Sequence, residues 1–193
     1  MTNSSNTQSP KEDRRVLRTK KCLADALKQL ILEKDYDSIT VQDIIDRANV
    51  GRSTFYSHYE SKEQLLVGNI NFQEQLIHLP EADESPMGIN IQYLFEHTRE
   101  HLPLFKAMRN SKGIELLGNY FTELCAARIF EHMKGQASFK RSEERMLCYK
   151  AEAAAGGIVR MLFKWLDDGA RVPAGTMILY SKKILGDLAR EGI

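Results

Sequence analysis

The chain has 193 residues, 42% of them hydrophobic and 27% charged, with a formal net charge of +1. These values lie near globular averages and exclude a chain disordered throughout, and no apolar run approaches the roughly 20 residues that a bilayer crossing needs. The first ten residues, MTNSSNTQSP, lack the apolar stretch of a secretory signal, so no membrane partner is expected and the expected location is cytoplasmic.

Met1 to Pro10 reads as a disordered tail. From about Glu12 to Glu33, Val16, Leu23, Leu27, Leu30 and Ile31 fall at helical spacing and predict an amphipathic first helix. Arg14, Arg15, Arg18, Lys20 and Lys21 cluster at its start, a local basic patch on a nearly neutral chain. Such a patch suits a phosphate backbone, and it equally suits a solvated helix end. After a polar connector, Lys34 to Ile39, Thr40 offers an N-cap hydroxyl with Asp43 three residues on, and Ile44, Ile45 and Ala48 give a short second helix its buried side. Asn49-Val50-Gly51 reads as a tight turn, since Asn and Gly tolerate positive φ. A third helix runs from Arg52 to about His58. Ser61 with Gln64 then matches a capping box that opens a fourth helix, predicted to reach Ile77.

Pro80 to Pro86 is acidic and proline-containing and reads as a break. The expected division is a tail over 1–10, a helical unit over 11–78 and a second helical unit over 79–193. In the second, helices are predicted near Gly88–His101, Pro103–Asn110, Lys112–Lys134, Arg141–Asp168 and Ala174–Arg190. No strand pattern occurs, so the predicted fold class is all-α. Cys22, Cys125 and Cys148 lack C-x-x-C spacing and read as small apolar residues in a reduced compartment, not as ligands or bridges.

Two short helices joined by a tight turn, the second polar on its outer side, describe a helix-turn-helix. In that arrangement the second helix enters the major groove of duplex DNA, where base edges differ in donors and acceptors. Here it reads Arg52-Ser53-Thr54-Phe55-Tyr56-Ser57-His58-Tyr59. Helical spacing turns Phe55 and Tyr59 inward together and leaves Arg52, Ser53, Thr54, Tyr56 and His58 outward. Lys62 adds a cation beside the start of the next helix, a favourable place for a phosphate.

The stretch from Ile39 to Leu66, ITVQDIIDRANVGRSTFYSHYESKEQLL, resembles the TetR family of bacterial regulators. Asn49 stands where that family most often has glycine, and Gly51 where a serine cap is common; both suit the turn. The resemblance implies a three-helix helix-turn-helix DNA-binding domain followed by a helical ligand-binding and dimerisation domain. It also implies residue roles: Thr40 and Gln42 on backbone phosphates, Arg52, Ser53 and Thr54 on base edges, and Tyr56, His58 and Lys62 on phosphates. Arg52 is the best candidate for a base contact, because arginine on guanine is the commonest specific pairing.

The family uses its remaining helices to dimerise and to bind an effector. Ala153, Gly156 and Gly157 lie in a small-residue patch inside a long helical pattern, and mid-helix glycines cost about 1 kcal/mol each relative to alanine. With Met161, Trp165, Ile184 and Leu188 they form the expected homodimer interface; packing within one subunit is the alternative. Tyr93, Phe105, Met108, Phe121, Cys125 and Tyr149, with Phe95, Phe130 and Met146 nearby, are candidates for a pocket that would take a small apolar or aromatic effector. The same spacing also suits plain core. The implied function is a repressor that binds a palindromic operator as a homodimer and is released by an effector. The alternatives are a DNA-binding regulator without a small effector and a helical enzyme. His97 and His101 are four residues apart, but the H-E-x-x-H arrangement is absent, and so are the nucleophile-elbow, Walker and dinucleotide motifs. No metal, cofactor or catalysis is expected.

Overall fold

Leu23, Ala26, Leu27, Leu30 and Ile31 line the buried side of α1 (Pro10–Glu33), as the helical spacing of the apolar residues predicts. The structure, a computed structural model, describes residues 10–68, 87–136 and 144–190. Among them are nine α-helices, one 3-10 turn and no strand: the fold is all-α. The chain forms two compact units, Met1–Asn69 and Ile70–Ile193. The sequence-based boundary at 78/79 and the break at Pro80 to Pro86 lie outside the described residues, as do residues 1–9 of the expected tail.

In the first unit a 3-10 turn (Tyr36–Ser38) follows α1, then α2 (Val41–Ala48), α3 (Arg52–Tyr56) and α4 (Lys62–Gly68). α1 packs on α2 and α4, and α2 on α3. Their shared core holds Leu23, Leu27, Tyr36, Ile39, Ile44, Phe55, Tyr59 and Leu65. The N-terminal part of α1 stays outside it; Leu17 is exposed and Val16 only half-buried. Asn49 closes α2 in the left-handed region with φ 52°, as its residue type allows, whereas Gly51 has φ −72° and gives α3 no side-chain cap. α3 is shorter than the expected Arg52–His58. The Ser61 box is offset: its hydroxyl accepts the Gln64 amide at 3.2 Å, but the Gln64 side chain accepts from Glu60. The predicted continuation of α4 to Ile77 falls outside the described residues.

The described part of the second unit begins on buried chain, Met87 to Asn90, before α5 (Ile91–Glu100). Gly88, expected to open a helix, instead has φ 70°, and Asn90 caps α5 by accepting the Tyr93 amide at 3.0 Å. α6 (Leu102–Ala107) follows, then α7 (Lys112–Gln136), α8 (Glu144–Asp167) and α9 (Ala174–Arg190). The two longest helices of this unit, α7 and α8, pack along each other. Leu147, Ala151, Ala154, Ala155, Ile158, Val159 and Leu162 are the buried side of α8. Thr98 and Ser181 are buried with their hydroxyls donating to backbone carbonyls one turn back, at 2.7 and 2.8 Å, so neither leaves a buried polar group unpaired. No helix among the described residues is long and apolar enough to cross a membrane.

Candidate nucleic-acid interface

The start of α2 is tied down by a reciprocal cap. The Thr40 hydroxyl accepts the Asp43 amide at 3.1 Å and donates to Asp43 Oδ2 at 2.6 Å, and the Thr40 amide donates to the same oxygen at 2.7 Å. Lys34 Nζ lies 2.9 Å from it. The Thr40 hydroxyl bond, with Lys34 next, holds the Asp43 carboxyl far below the ordinary carboxylate range. Gln42, one residue into α2, donates to Asp46 Oδ1 at 2.8 Å. Thr40 and Gln42 are both exposed at the helix start, but each already has a partner within α2. A phosphate there would take donors now given to Asp43 and Asp46.

α3 carries the opposite arrangement. Phe55 is fully buried and Tyr59 nearly so, with ring centroids 6.1 Å apart, which anchors the helix by its inner face. Arg52, Ser53 and Tyr56 are exposed, while Thr54 and His58 are half-buried. None of these five side chains makes a hydrogen bond or ion pair among the described residues. Tyr56 only sets its ring edge-on against Phe55 at 5.3 Å, which braces it while its hydroxyl stays outside. The helix therefore presents a guanidinium, three hydroxyls and an imidazole that are not committed to the protein's own fold, the donor set that base edges and phosphates require. Arg14, Arg15, Arg18, Lys20 and Lys21 lie along the N-terminal part of α1 and extend the cationic character of this unit.

Arg47 and Lys62, like Lys34, are spent internally. Arg47 makes a two-pronged bond to Glu33, at 2.8 and 2.6 Å, and clamps α2 onto α1. The bond to Arg47 lowers the Glu33 carboxyl. Lys62, expected to grip a phosphate, sends its ammonium inward to the carbonyls of Tyr36, Asp37 and Ile39. Neither role is readable from local spacing, because the partners lie 14 and 23 to 26 residues away.

Residues 23–68 match the model of the bacterial regulatory proteins of the tetR family. The match runs from within α1 to the end of α4. Among curated relatives, an uncharacterised helix-turn-helix-type transcriptional regulator of Bacillus subtilis strain 168, YxbF, is 49% identical over 55 residues, which are 28% of this chain and 14% of that protein. DhaS of Lactococcus lactis subsp. lactis strain IL1403, a transcriptional activator of the dhaKLM operon, is 40% identical over 48 residues, 25% of this chain and 26% of that protein. The chain thus spans about a quarter or less of the length of these two relatives. Over most of its length it shares the fold of a TetR transcriptional regulator from Streptococcus agalactiae 2603V, with a TM-score of 0.61, 24% identity, and coverage of 90% of this chain and 97% of that one. The dihydroxyacetone kinase operon activator DhaS gives 0.60 at 17% identity, covering 86% and 93%. The family and these relatives are transcriptional regulators, not enzymes.

In the second unit most of the expected pocket residues are either packed core or surface. Phe95, Met108, Phe121 and Cys125 are packed core, and burial pushes the Cys125 thiol up to about 12. Phe105 borders a gap of about 10 Å³, water-sized at most. Tyr93 is half-buried and stacks on His97 at 5.1 Å. Tyr149 is 62% exposed on α8, so it belongs to the surface, as does Met146. A roomier hollow is an open groove of about 420 Å³ between α7 and α8, lined by Gly118, Asn119, Val159, Arg160 and Phe163 among others. None of the expected pocket residues lines it. His97 and His101 meet edge to face with ring centroids 4.5 Å apart, and no cluster among the described residues has the three or more ligands a metal ion needs. Of the cysteines, Cys125 is buried, whereas Cys22 and Cys148 are exposed.

The expected dimer residues divide. Ala153, Gly157 and Ile184 are exposed, and Gly156, Met161 and Leu188 are half-buried. Trp165 is turned into its own subunit: it donates to the Val172 carbonyl at 2.8 Å and packs edge-on against Phe95. Its assignment to the interface is corrected. Each four-residue step advances about 40° round a helix, so the row Gly157, Met161, Trp165 drifts from the exposed side to the buried one.

Proposed function

We propose that the protein is a homodimeric transcriptional regulator, a repressor that acts in the cytoplasm by binding a palindromic operator. The carrying observation is the outer side of α3, where Arg52, Ser53, Thr54, Tyr56 and His58 stand on a buried Phe55–Tyr59 anchor with no hydrogen-bond partners among the described residues. A helix held rigidly by one face, with uncommitted donors on the other, suits direct readout in the major groove. Selection of bound sequences from a random duplex pool tests this directly; an enriched two-fold symmetric site supports it, and no enrichment defeats it. Arg52→Ala is expected to weaken binding to the selected site by about 1–3 kcal/mol and to relax preference at one base position. Equal weakening on all sequences would reduce Arg52 to a phosphate contact.

Dimerisation through α8 and α9 is supported by their exposed faces. A Cβ at Gly156 or Gly157 would meet nothing within 4 Å, so the subunit's own packing does not call for glycine there. Close approach of a second chain explains the cost of two mid-helix glycines. Leu179, 72% exposed, with Tyr180 and Ile184 continues an apolar surface on α9. Gly157→Leu is therefore expected to leave the subunit folded and to convert the dimer to monomer in sedimentation velocity. A Gly157→Leu protein that sediments as a dimer would move the interface elsewhere.

Release by a small apolar or aromatic effector completes this reading, and it requires the packing around Met108, Phe121 and Cys125 to open. The second reading, a regulator without a small effector, is favoured by that closed packing.

A further inference from the structure

The Lys62 side chain ends at a convergence of three backbone carbonyls. Its ammonium donates to Tyr36 O at 2.8 Å, Asp37 O at 3.2 Å and Ile39 O at 2.7 Å, and lies 4.6 Å from the centre of the Tyr36 ring. An ammonium has three N–H donors, and here each has its own acceptor. Two of the three carbonyls belong to the 3-10 turn, and the third is on the residue that closes it, so the cation also sits at the negative end of that turn. The ring face below adds a cation–π attraction in a part-buried setting.

The position of this cage in the chain gives it a purpose. Ile39 immediately precedes Thr40, the cap of α2, and Lys62 opens α4. The ammonium therefore ties together the two ends of residues 40–61, the segment that contains α2, the turn and α3. We propose that Lys62 is a positioning residue that closes the base of the helix-turn-helix and fixes the setting of α3, and that it does not hold a DNA phosphate. The cage itself is independent of the proposed function; only its consequence for DNA binding rests on that reading.

An arginine discriminates between the two roles. It keeps a cation available for a phosphate, but a planar guanidinium cannot direct three N–H bonds to carbonyls converging on one point. Full-length Lys62→Arg and Lys62→Met should both melt roughly 5–10 °C below the wild type in the transition of the N-terminal unit. On a mixed-sequence duplex, the Lys62→Met protein at a temperature where it is folded should bind more weakly with an unchanged slope of log K against log salt. A phosphate contact would instead leave melting untouched, let Lys62→Arg bind as the wild type does, and reduce the slope for Lys62→Met by about one. That pattern overturns the proposal.

The wild-type ammonium resonance supplies a readout that does not depend on a folded variant. By nitrogen-15 NMR a caged Lys62 should show slowed proton exchange with water and keep its shift when the mixed-sequence duplex is added. Rapid exchange, or a shift on adding duplex, would reject the cage role. If the wild type binds no duplex at all, the regulator reading fails, while melting and exchange still decide the place of Lys62.

Discussion

Phe55→Ala is expected to remove about 3–5 kcal/mol from the stability of the N-terminal unit, the range for truncating a buried phenylalanine. Phe55 is wholly inaccessible to solvent and is the buried member of α3, a helix of only five residues with little stability of its own. Its removal leaves a cavity where α3 meets the core and takes away the surface against which Tyr56 and Tyr59 pack. A unit of this size is stabilised by only about 0.05–0.15 kcal/mol per residue, so the loss is comparable to the whole. Circular dichroism melting of the full chain should show the transition of the N-terminal unit lost or shifted below physiological temperature. The exposed neighbour provides the contrast: Tyr56→Ala should change stability by no more than about 0.5 kcal/mol. A Phe55→Ala protein that melts like the wild type would show that α3 is held by something other than its buried ring.

The second large effect belongs to the other unit. Gly88 has φ 70°, and a Cβ placed there would lie 2.7 Å from His132 Nδ1 and 2.8 Å from His132 Cβ and Cγ. The left-handed backbone costs an L residue about 1–2 kcal/mol. The overlap adds about 1–3 kcal/mol, because the His132 Cβ is fixed to α7 and cannot swing aside. The Gly88 carbonyl also accepts from Arg128 Nε at 2.9 Å, so any shift that relieves the overlap strains this bond. Gly88→Ala should therefore destabilise the C-terminal unit by about 2–5 kcal/mol in chemical denaturation and leave the N-terminal transition in place. Wild-type denaturation of this variant would mean that the segment 87–90 can repack at little cost.

These two residues differ in how far the sequence reveals them. Phe55 and Tyr59 declare themselves by a four-residue spacing beside polar neighbours, and the structure buries both. Thr40 with Asp43, and Asn49 at the turn, are likewise legible, because a cap and a left-handed residue act on chain within a few positions of themselves. Gly88 reads locally as a helix start, and only the approach of His132, on α7, shows why that position has no side chain. In the body, Phe121 and Cys125 have the residue types of either core or pocket, and composition cannot separate the two. Packing between α7 and α8 makes them core.

The pattern of residues by itself determined the all-α class, most helix limits in the described chain and the outward set from Arg52 to His58, because hydrophobic period, capping and turn chemistry are local forces. Tertiary structure alone decided that Trp165 faces its own subunit and that the Lys62 ammonium is enclosed by carbonyls 23 to 26 residues earlier in the chain. A long, flexible side chain carries its charge to whichever acceptors the fold brings within reach, and that reach is a property of the folded chain rather than of neighbouring letters.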